Sequence, residues 1–310
     1  MSESDSGRSG LGGLTGLTVL IAGGSGFIGT ELTAQLRAAG HTVLTLVRRP
    51  ARTPTERSWD PEARWLKTAL IDQADAVVNL SGASISRLPW TFRYKREILQ
   101  SRILATSTLS DAILRAESPP AVFVSGSAVG FYGDRPGELL TEGSVTGAGF
   151  LAKVSDAWER AAAPAAARTR LVLARTGLVV GQGGGALKPL TLLAKAGLAG
   201  PLGDGAQLWP WISLHDEAAA LRHLVTESEL QGPVNLVGPV PAPAGSVVRE
   251  LAEQLHRPYW LPAPAWALKA ALADAGRDLL LADQNVSSQK LAADGFVFRD
   301  NTLEKALAAV

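Results

Sequence analysis

The chain has 310 residues, enough for one large domain or two modest ones, and its 46% hydrophobic and 19% charged content describes a folded protein, not a disordered one. Lys and Arg number 30 against 29 Asp and Glu, so the net charge of +1 gives no reason to expect a nucleic acid or an anionic membrane as partner. There is no cysteine, which excludes disulfides, thiolate metal sites and cysteine nucleophiles.

Residues 1–16 are rich in Gly and Ser and carry early acids without an apolar run, so a disordered tail is expected there and not a signal peptide. No uninterrupted run of about 18 apolar residues follows. Even Leu261 to Ala282 is broken by Lys269, Asp274, Arg277 and Asp278, and the expected compartment is the cytoplasm. Leu17 to Ile21 reads as a first buried strand. It runs into Ala22-Gly23-Gly24-Ser25-Gly26-Phe27-Ile28-Gly29, and a helical run then closes at Gly40. Strand, glycine turn and helix in that order form a dinucleotide-binding pattern. Gly23 allows the tight turn, Gly26 lets backbone approach a pyrophosphate, and Gly29 lets the helix pack on the strand. The N–H groups at the start of the helix then face the phosphates.

Thr42–Val47 is the expected second strand and ends on Arg48-Arg49-Pro50. An acid about 20 residues beyond the glycines would bind an adenosine ribose. Here two guanidiniums stand in its place, and a planar bidentate fork suits a 2′-phosphate. The cofactor expected is therefore NADP(H) rather than NAD. Asp75–Leu80 is a further strand, closed by Ser81-Gly82. Trp90 to Arg115 reads as one long helix whose Arg93, Lys95, Arg96 and Arg102 form a solvated basic face. Ala121–Val124 is a strand running into Ser125-Gly126-Ser127, then come a loop through Tyr132-Gly133 and a helix from about Phe150 to Ala163. The alanine-rich stretch to Arg168 reads as a frayed helix end. Leu171–Ala174 is a strand ending on Arg175-Thr176-Gly177.

Strands alternating with helices imply a Rossmann-type, doubly wound parallel sheet, whose ligand crevice lies outside the carboxyl ends of its strands. The glycine turn, Arg48, Ser81, Ser127 and Thr176 all fall at such ends. From Gly181 the pattern changes: glycine-rich connections around Gly183-Gly184-Gly185 and Gly200–Gly205 alternate with short helices. Trp209 and Trp211 stand either in a substrate pocket or in a second core, before a helix that Asp216 could cap. Pro233–Val237 looks like a strand returning to the main sheet, and helices broken by prolines follow from Val247. The expected organisation is a nucleotide-binding domain over 17–181, joined again by 212–238. A smaller, discontinuous, mostly helical substrate lobe takes 182–211 and 239–310. His41, His215, His223 and His256 show no metal-ligand spacing, and neither a nucleophile elbow around Ser127 nor a Walker A motif occurs.

The glycine motif, Asn79-Leu80-Ser81-Gly82, Ser125-Gly126-Ser127 and Lys153 together resemble the extended short-chain dehydrogenase/reductase superfamily, which includes the NAD-dependent epimerases and dehydratases. A closer resemblance is to its subgroup described as SulA-like or cell-division-inhibitor homologues. It runs through Trp59-Asp60-Pro61, Ser101-Arg102, Arg175-Thr176-Gly177, Gly200-Pro201-Leu202-Gly203, Trp211-Ile212, His256-Arg257-Pro258 and a C-terminal segment from Gly295-Phe296 to Leu307. The resemblance implies an NADP-dependent reductase-like oxidoreductase or epimerase acting on a small carbonyl or hydroxyl substrate, as a monomer or homodimer. It also implies cofactor contacts at Gly23, Gly26, Phe27, Ile28, Gly29, Arg48, Arg49, Leu80, Ser81, Gly82, Lys153, Thr176 and Gly177. In the superfamily a serine polarises the substrate oxygen, a tyrosine moves the proton, and a lysine four residues later lowers the tyrosine's pKa. Ser127 matches the serine, with Ser125 second, and Lys153 matches the lysine. Gly149 stands where the tyrosine would be. Three readings follow: Tyr132 replaces the phenol, a water or the substrate carries the proton, or the protein binds NADP(H) as a non-catalytic regulator. A nucleotide-sugar-type epimerase or dehydratase is the remaining rival.

Overall fold

A computed structural model describes residues 16–181, 184, 185 and 187–308. The expected N-terminal tail, apart from Gly16, lies outside the described residues, as do Gln182, Gly183 and Ala186 of the glycine-rich connection.

Seven parallel strands form the main sheet: β1 (Thr18–Ala22), β2 (Thr42–Val47), β3 (Glu56–Ser58), β4 (Ala76–Asn79), β5 (Val122–Ala128), β6 (Arg170–Thr176) and β7 (Gly232–Leu236). Their spatial order is β7-β6-β5-β4-β1-β2-β3. The chain winds outwards from β1 in one direction through β2 and β3, then returns to build the other half from β4. The switch point lies between β1 and β4, where Ala22 is level with Asn79. That is where a doubly wound sheet opens a ligand crevice. Being buried on both faces, the strands read as nearly continuous apolar runs.

Helix α1 (Phe27–Ala38) and helix α4 (Leu214–Thr226) cover one face, packing Leu32, Leu36, Leu221 and Leu224 on Val19, Ile21, Val78 and Val124. Helix α2 (Phe92–Arg115) covers the other, with Leu109 and Ile113 on Leu20, Val77 and Phe123. Helix α3 (Phe150–Ala162) lies beside α2. Thr91 caps α2 by accepting from the Tyr94 N–H. Ser213, and not Asp216, caps α4: the Asp216 N–H donates to Ser213 Oγ at 3.1 Å. Asp216 instead ties down the C-terminal segment, accepting from the Arg299 and Asp300 N–H groups at 3.1 and 2.9 Å.

A separate core gathers the later chain. It packs Leu190 of Lys188–Lys195 and Val247, Val248 and Leu251 of Ala244–Gln254 around Trp209 and Trp211. The C-terminal segment then doubles back, and its Leu291 and Phe296 join the sheet core beneath α4. No helix among the described residues is long and apolar enough to cross a membrane.

Several boundaries differ from the sequence expectation. β5 continues to Ala128, so Ser125, Gly126 and Ser127 lie inside a strand and not in a turn after it. The alanine-rich stretch after α3 is an ordered 3₁₀ turn over Ala163–Ala167 that begins around Pro164, and Ala165 is buried. On the basic face of α2, Lys95 pairs with Asp274, and Arg102 turns inwards over the Trp158 ring at 5.0 Å. That face is therefore only in part a solvated one.

Candidate functional site

The glycine turn sits at the switch point, and each of its glycines is there for a different reason. Gly23 has φ +85°, and a Cβ on it would lie 2.7 Å from the Leu80 carbonyl carbon. It therefore lets β1 turn tightly against the end of β4. A Cβ at Gly29 would come within 2.2 Å of the Gly23 carbonyl oxygen, so this glycine lets α1 close on the turn. Gly26 is the N-cap of α1, and a Cβ there would meet only the Gly23 oxygen at 3.2 Å, leaving the space above it open. Beyond it the N–H groups of Phe27, Ile28 and Gly29 begin a helix and have no carbonyl behind them to bond. This is a cradle that suits a pyrophosphate. Phe27 roofs one side of it: the ring lies where a Cβ on Gly184 or Gly185 would stand, at 2.6 and 2.9 Å. Ile28 and Leu80 turn into the sheet core instead.

At the end of β2 the two arginines part company. Arg49 is held by Glu56 of β3 in a bidentate pair at 2.7 and 2.9 Å, and the pair keeps the Glu56 carboxyl down near about 2. Arg48 is exposed and makes no hydrogen bond or ion pair among the described residues. The expectation of two guanidiniums open to a 2′-phosphate is corrected to one. Across the crevice the Asn79 side chain accepts from the Ser81 N–H at 3.1 Å and donates to Thr106 at 2.8 Å, which fixes the turn after β4. Arg102 packs where a Cβ on Gly82 would stand, 3.0 Å away, and donates to the Ala83 and Ile98 carbonyls. No acid pairs with it, and burial pulls it down to about 10. Sequence reading placed this cation in solvent; its neighbour Ser101, which accepts from the Ala83 N–H at 2.9 Å, was the available hint.

Behind the strand ends runs a buried polar chain. Ser127 Oγ donates to Glu159 Oε1 at 2.6 Å, and Arg175 grips both Glu159 oxygens at 2.8 and 2.9 Å. Arg175 Nη1 also donates to the Tyr132 hydroxyl at 3.0 Å, and that hydroxyl donates to Asn235 Oδ1 at 2.6 Å. Burial by itself would lower Arg175, but the Glu159 carboxylate outweighs it and raises the guanidinium above its ordinary value. Tyr132 is 0% exposed, and burial pushes its phenol up despite Arg175. A phenol so enclosed, with both hydrogen-bonding directions spent inside the protein, is not placed to hand a proton to a substrate. The expected role of Tyr132 is corrected to a structural one. Ser125 is also fully buried and turns its hydroxyl on the Gly126 carbonyl at 3.4 Å.

Gly149 has φ +111°, and a Cβ there would lie 3.0 Å from an oxygen of Asp278. That carboxylate accepts from the N–H groups of Phe150 and Leu151 at 2.7 and 3.1 Å and so caps α3 from the C-terminal lobe. Lys153, one turn on, is exposed, and its charge helps hold Asp274 low after the Lys95 contact that dominates. At the end of β6, Thr176 Oγ1 donates to Glu217 Oε1 of α4 at 2.7 Å. Glu217 is fully buried, its other oxygen has no partner, and burial pushes it up to about 8. Gly177 packs against the Pro210 carbonyl, which a Cβ would meet at 2.2 Å. His215, Asp216 and Asp300 approach one another within 4.8 Å, but the Asp216 oxygens are taken by backbone N–H groups and Asp300 pairs with Arg299.

A glycine cradle at the switch point of a doubly wound sheet, with a serine at the end of β5, defines a nucleotide-binding protein of the extended short-chain dehydrogenase/reductase class. The pattern of the NAD dependent epimerase/dehydratase family matches residues 19–238, and that of a domain of unknown function (DUF1731) matches residues 263–310. The chain belongs to the NAD-dependent epimerase/dehydratase family, whose members bind NAD(P). It is 40% identical to the epimerase family protein Mb2239 of Mycobacterium bovis over 93% of this chain and 96% of that protein. Among solved structures it is similar to the human epimerase family protein SDR39U1 (isoform 2) with NADPH, with TM-score 0.86, 33% identity, and coverage of 94% of this chain and 98% of that one. It also resembles a nucleoside-diphosphate sugar epimerase from Corynebacterium glutamicum, with TM-score 0.77 and 33% identity, matching 95% of this chain and 58% of that longer one.

Proposed function

We propose that this protein binds NADP(H) and serves as an oxidoreductase on a small carbonyl or hydroxyl compound. The observation that carries the cofactor choice is the division between Arg48 and Arg49. One guanidinium is fixed by Glu56, while the other stands exposed and unpaired at the end of β2, where the adenosine 2′ position of a bound dinucleotide lies. NADPH in the similar human protein supports the same choice. When bound, NADPH supplies a hydride to a carbonyl carbon, and the carbonyl oxygen takes a proton. Ser127 orients that oxygen from the end of β5, with Glu159 and Arg175 behind its hydroxyl to hold its direction. Lys153 stays a candidate for the nicotinamide ribose. The test is Arg48→Ala. Losing a charge-assisted phosphate contact weakens NADPH by about tenfold or more and leaves NADH nearly unchanged in titration. Equal loss for both would refute the assignment.

A second reading, a non-catalytic NADP(H)-binding regulator, is favoured by a specific observation: Tyr132 is sealed in the core and Asp278 fills the place of the missing tyrosine. It predicts tight NADPH binding with no oxidation of the cofactor by any carbonyl compound.

A further inference from the structure

Beside the carboxyl edge of the sheet lies a cavity of about 160 Å³. Its walls come from three parts of the chain. Ile85, Ser86 and Leu88 belong to the segment that follows β4, and Leu178 comes directly after Thr176-Gly177. The C-terminal lobe closes the rest with Leu202, Val248, Leu268, Leu272 and Ala275. The cavity therefore adjoins the same two connections that the cofactor reading uses.

Its chemistry is one-sided. No charged side chain lines it, and the polar side-chain atoms it offers are the Ser86 hydroxyl and the Trp209 indole. The Trp209 Nε1–H is buried and has no hydrogen-bond partner among the described residues. A sugar nucleotide placed here would bury phosphate charge without a cation, which costs more than any contact in the cavity returns. An apolar wall of this size stays dry and takes an apolar ligand; an engineered cavity of about 150 Å³ lined by similar side chains binds benzene. The rim points the same way. Leu193, Leu198 and Leu261 line the cavity and are also 46%, 45% and 39% exposed, so the mouth is apolar. Trp260 and Trp266 stand exposed on the same lobe. Large apolar side chains left in water around an apolar hole mark a binding surface.

We propose that this cavity is the substrate pocket and that it takes an uncharged, apolar compound, a ring or alkyl chain bearing one hydroxyl or carbonyl oxygen, with Ser86 and the Trp209 indole N–H as donors for that oxygen. The inference rests on the oxidoreductase reading for its chemistry but not for its binding.

The test is binding of straight-chain 1-alkanols, from four to ten carbons, to the NADPH-loaded protein by titration calorimetry. Each added methylene lowers Kd by about fourfold, the equilibrium equivalent of one buried CH₂, until the cavity is full and the chain reaches water at the rim. UDP-glucose in the same cell does not compete. Leu193→Lys, at the exposed rim, raises the Kd of the longer alkanols by about tenfold, and Ala275→Leu, which fills the cavity, does the same from inside. Alkanol affinity that is independent of chain length, or displacement by UDP-glucose, overturns the proposal. NADPH affinity is measured on the same samples. Its absence would remove the cofactor reading while leaving the alkanol result standing.

Discussion

Replacing Glu217 by Gln should change how the stability of this protein depends on pH, and the size of the change follows from one buried carboxyl. Glu217 is fully buried on α4, accepts from Thr176 Oγ1 at 2.7 Å, and has no partner for its second oxygen. Burial raises it from 4.5 to about 8. Between those values the folded chain holds a proton that the unfolded chain has released, so stability falls as pH rises. Each pH unit in that window costs about 1.4 kcal/mol, so from pH 5.5 to 7.5 the loss from this group is about 3 kcal/mol. That is a substantial part of a typical folding free energy of about 5–15 kcal/mol. Glutamine keeps an acceptor for Thr176 but has no proton to lose. The assay is urea unfolding of both proteins at the two pH values, read as the difference between their slopes, so that groups common to both cancel. The wild type should lose about 3 kcal/mol more than the variant. Parallel slopes would mean that Glu217 ionises normally in the fold and that its isolation is not as described.

Two further substitutions check the roles assigned to the polar chain and the inner arginine. Tyr132→Phe leaves Asn235 Oδ1 and Arg175 Nη1 short of a buried partner and should cost about 1–3 kcal/mol in urea unfolding with NADPH affinity unchanged. Wild-type stability in that variant would dissolve the structural role. Arg102→Met frees the segment Ser81–Ala83 and should weaken NADPH and NADH alike, by about tenfold in titration, whereas a loss confined to NADPH would make Arg102 a phosphate partner in place of Arg48.

The sheet was legible because buried parallel strands write themselves as apolar runs, and the glycine turn because its spacing has a steric cause that Gly23 and Gly29 display. Reading failed where polar residues do buried work. Ser125-Gly126-Ser127 looked like a turn, since strand interiors are expected to be apolar; the Ser127 hydroxyl is in fact satisfied by Glu159, from the next helix. Arg49 looked equivalent to Arg48 because the partner that distinguishes them, Glu56, lies on a three-residue edge strand too short to show periodicity. Glu217 reads as one more charge on a helix until α4 is folded against β6. Asp278 reaches Phe150 across 128 residues, which no local pattern encodes.

That last contact explains the absent tyrosine. At Gly149 the backbone has φ +111°, which a side chain adopts only at a cost of about 1–3 kcal/mol, and the space a Cβ would take is already held by the Asp278 carboxylate. The glycine and the acid therefore belong together: the C-terminal lobe has put a helix-capping carboxylate where the superfamily puts a phenol. A double-mutant cycle tests this. Gly149→Ala should be destabilising by the backbone strain plus the displacement of Asp278 from the Phe150 and Leu151 N–H groups. In an Asp278→Ala background only the strain remains, so the same substitution should cost at least about 0.5 kcal/mol less, beyond the range in which independent sites add. Additive costs would show that the acid and the glycine are unrelated, and Gly149 would then be a turn residue only. Non-additive costs mean that restoring a tyrosine at this position cannot restore the superfamily's proton donor while Asp278 is in place, so any proton the reaction needs must come by another route, with Ser127 and Glu159 as the first residues to examine.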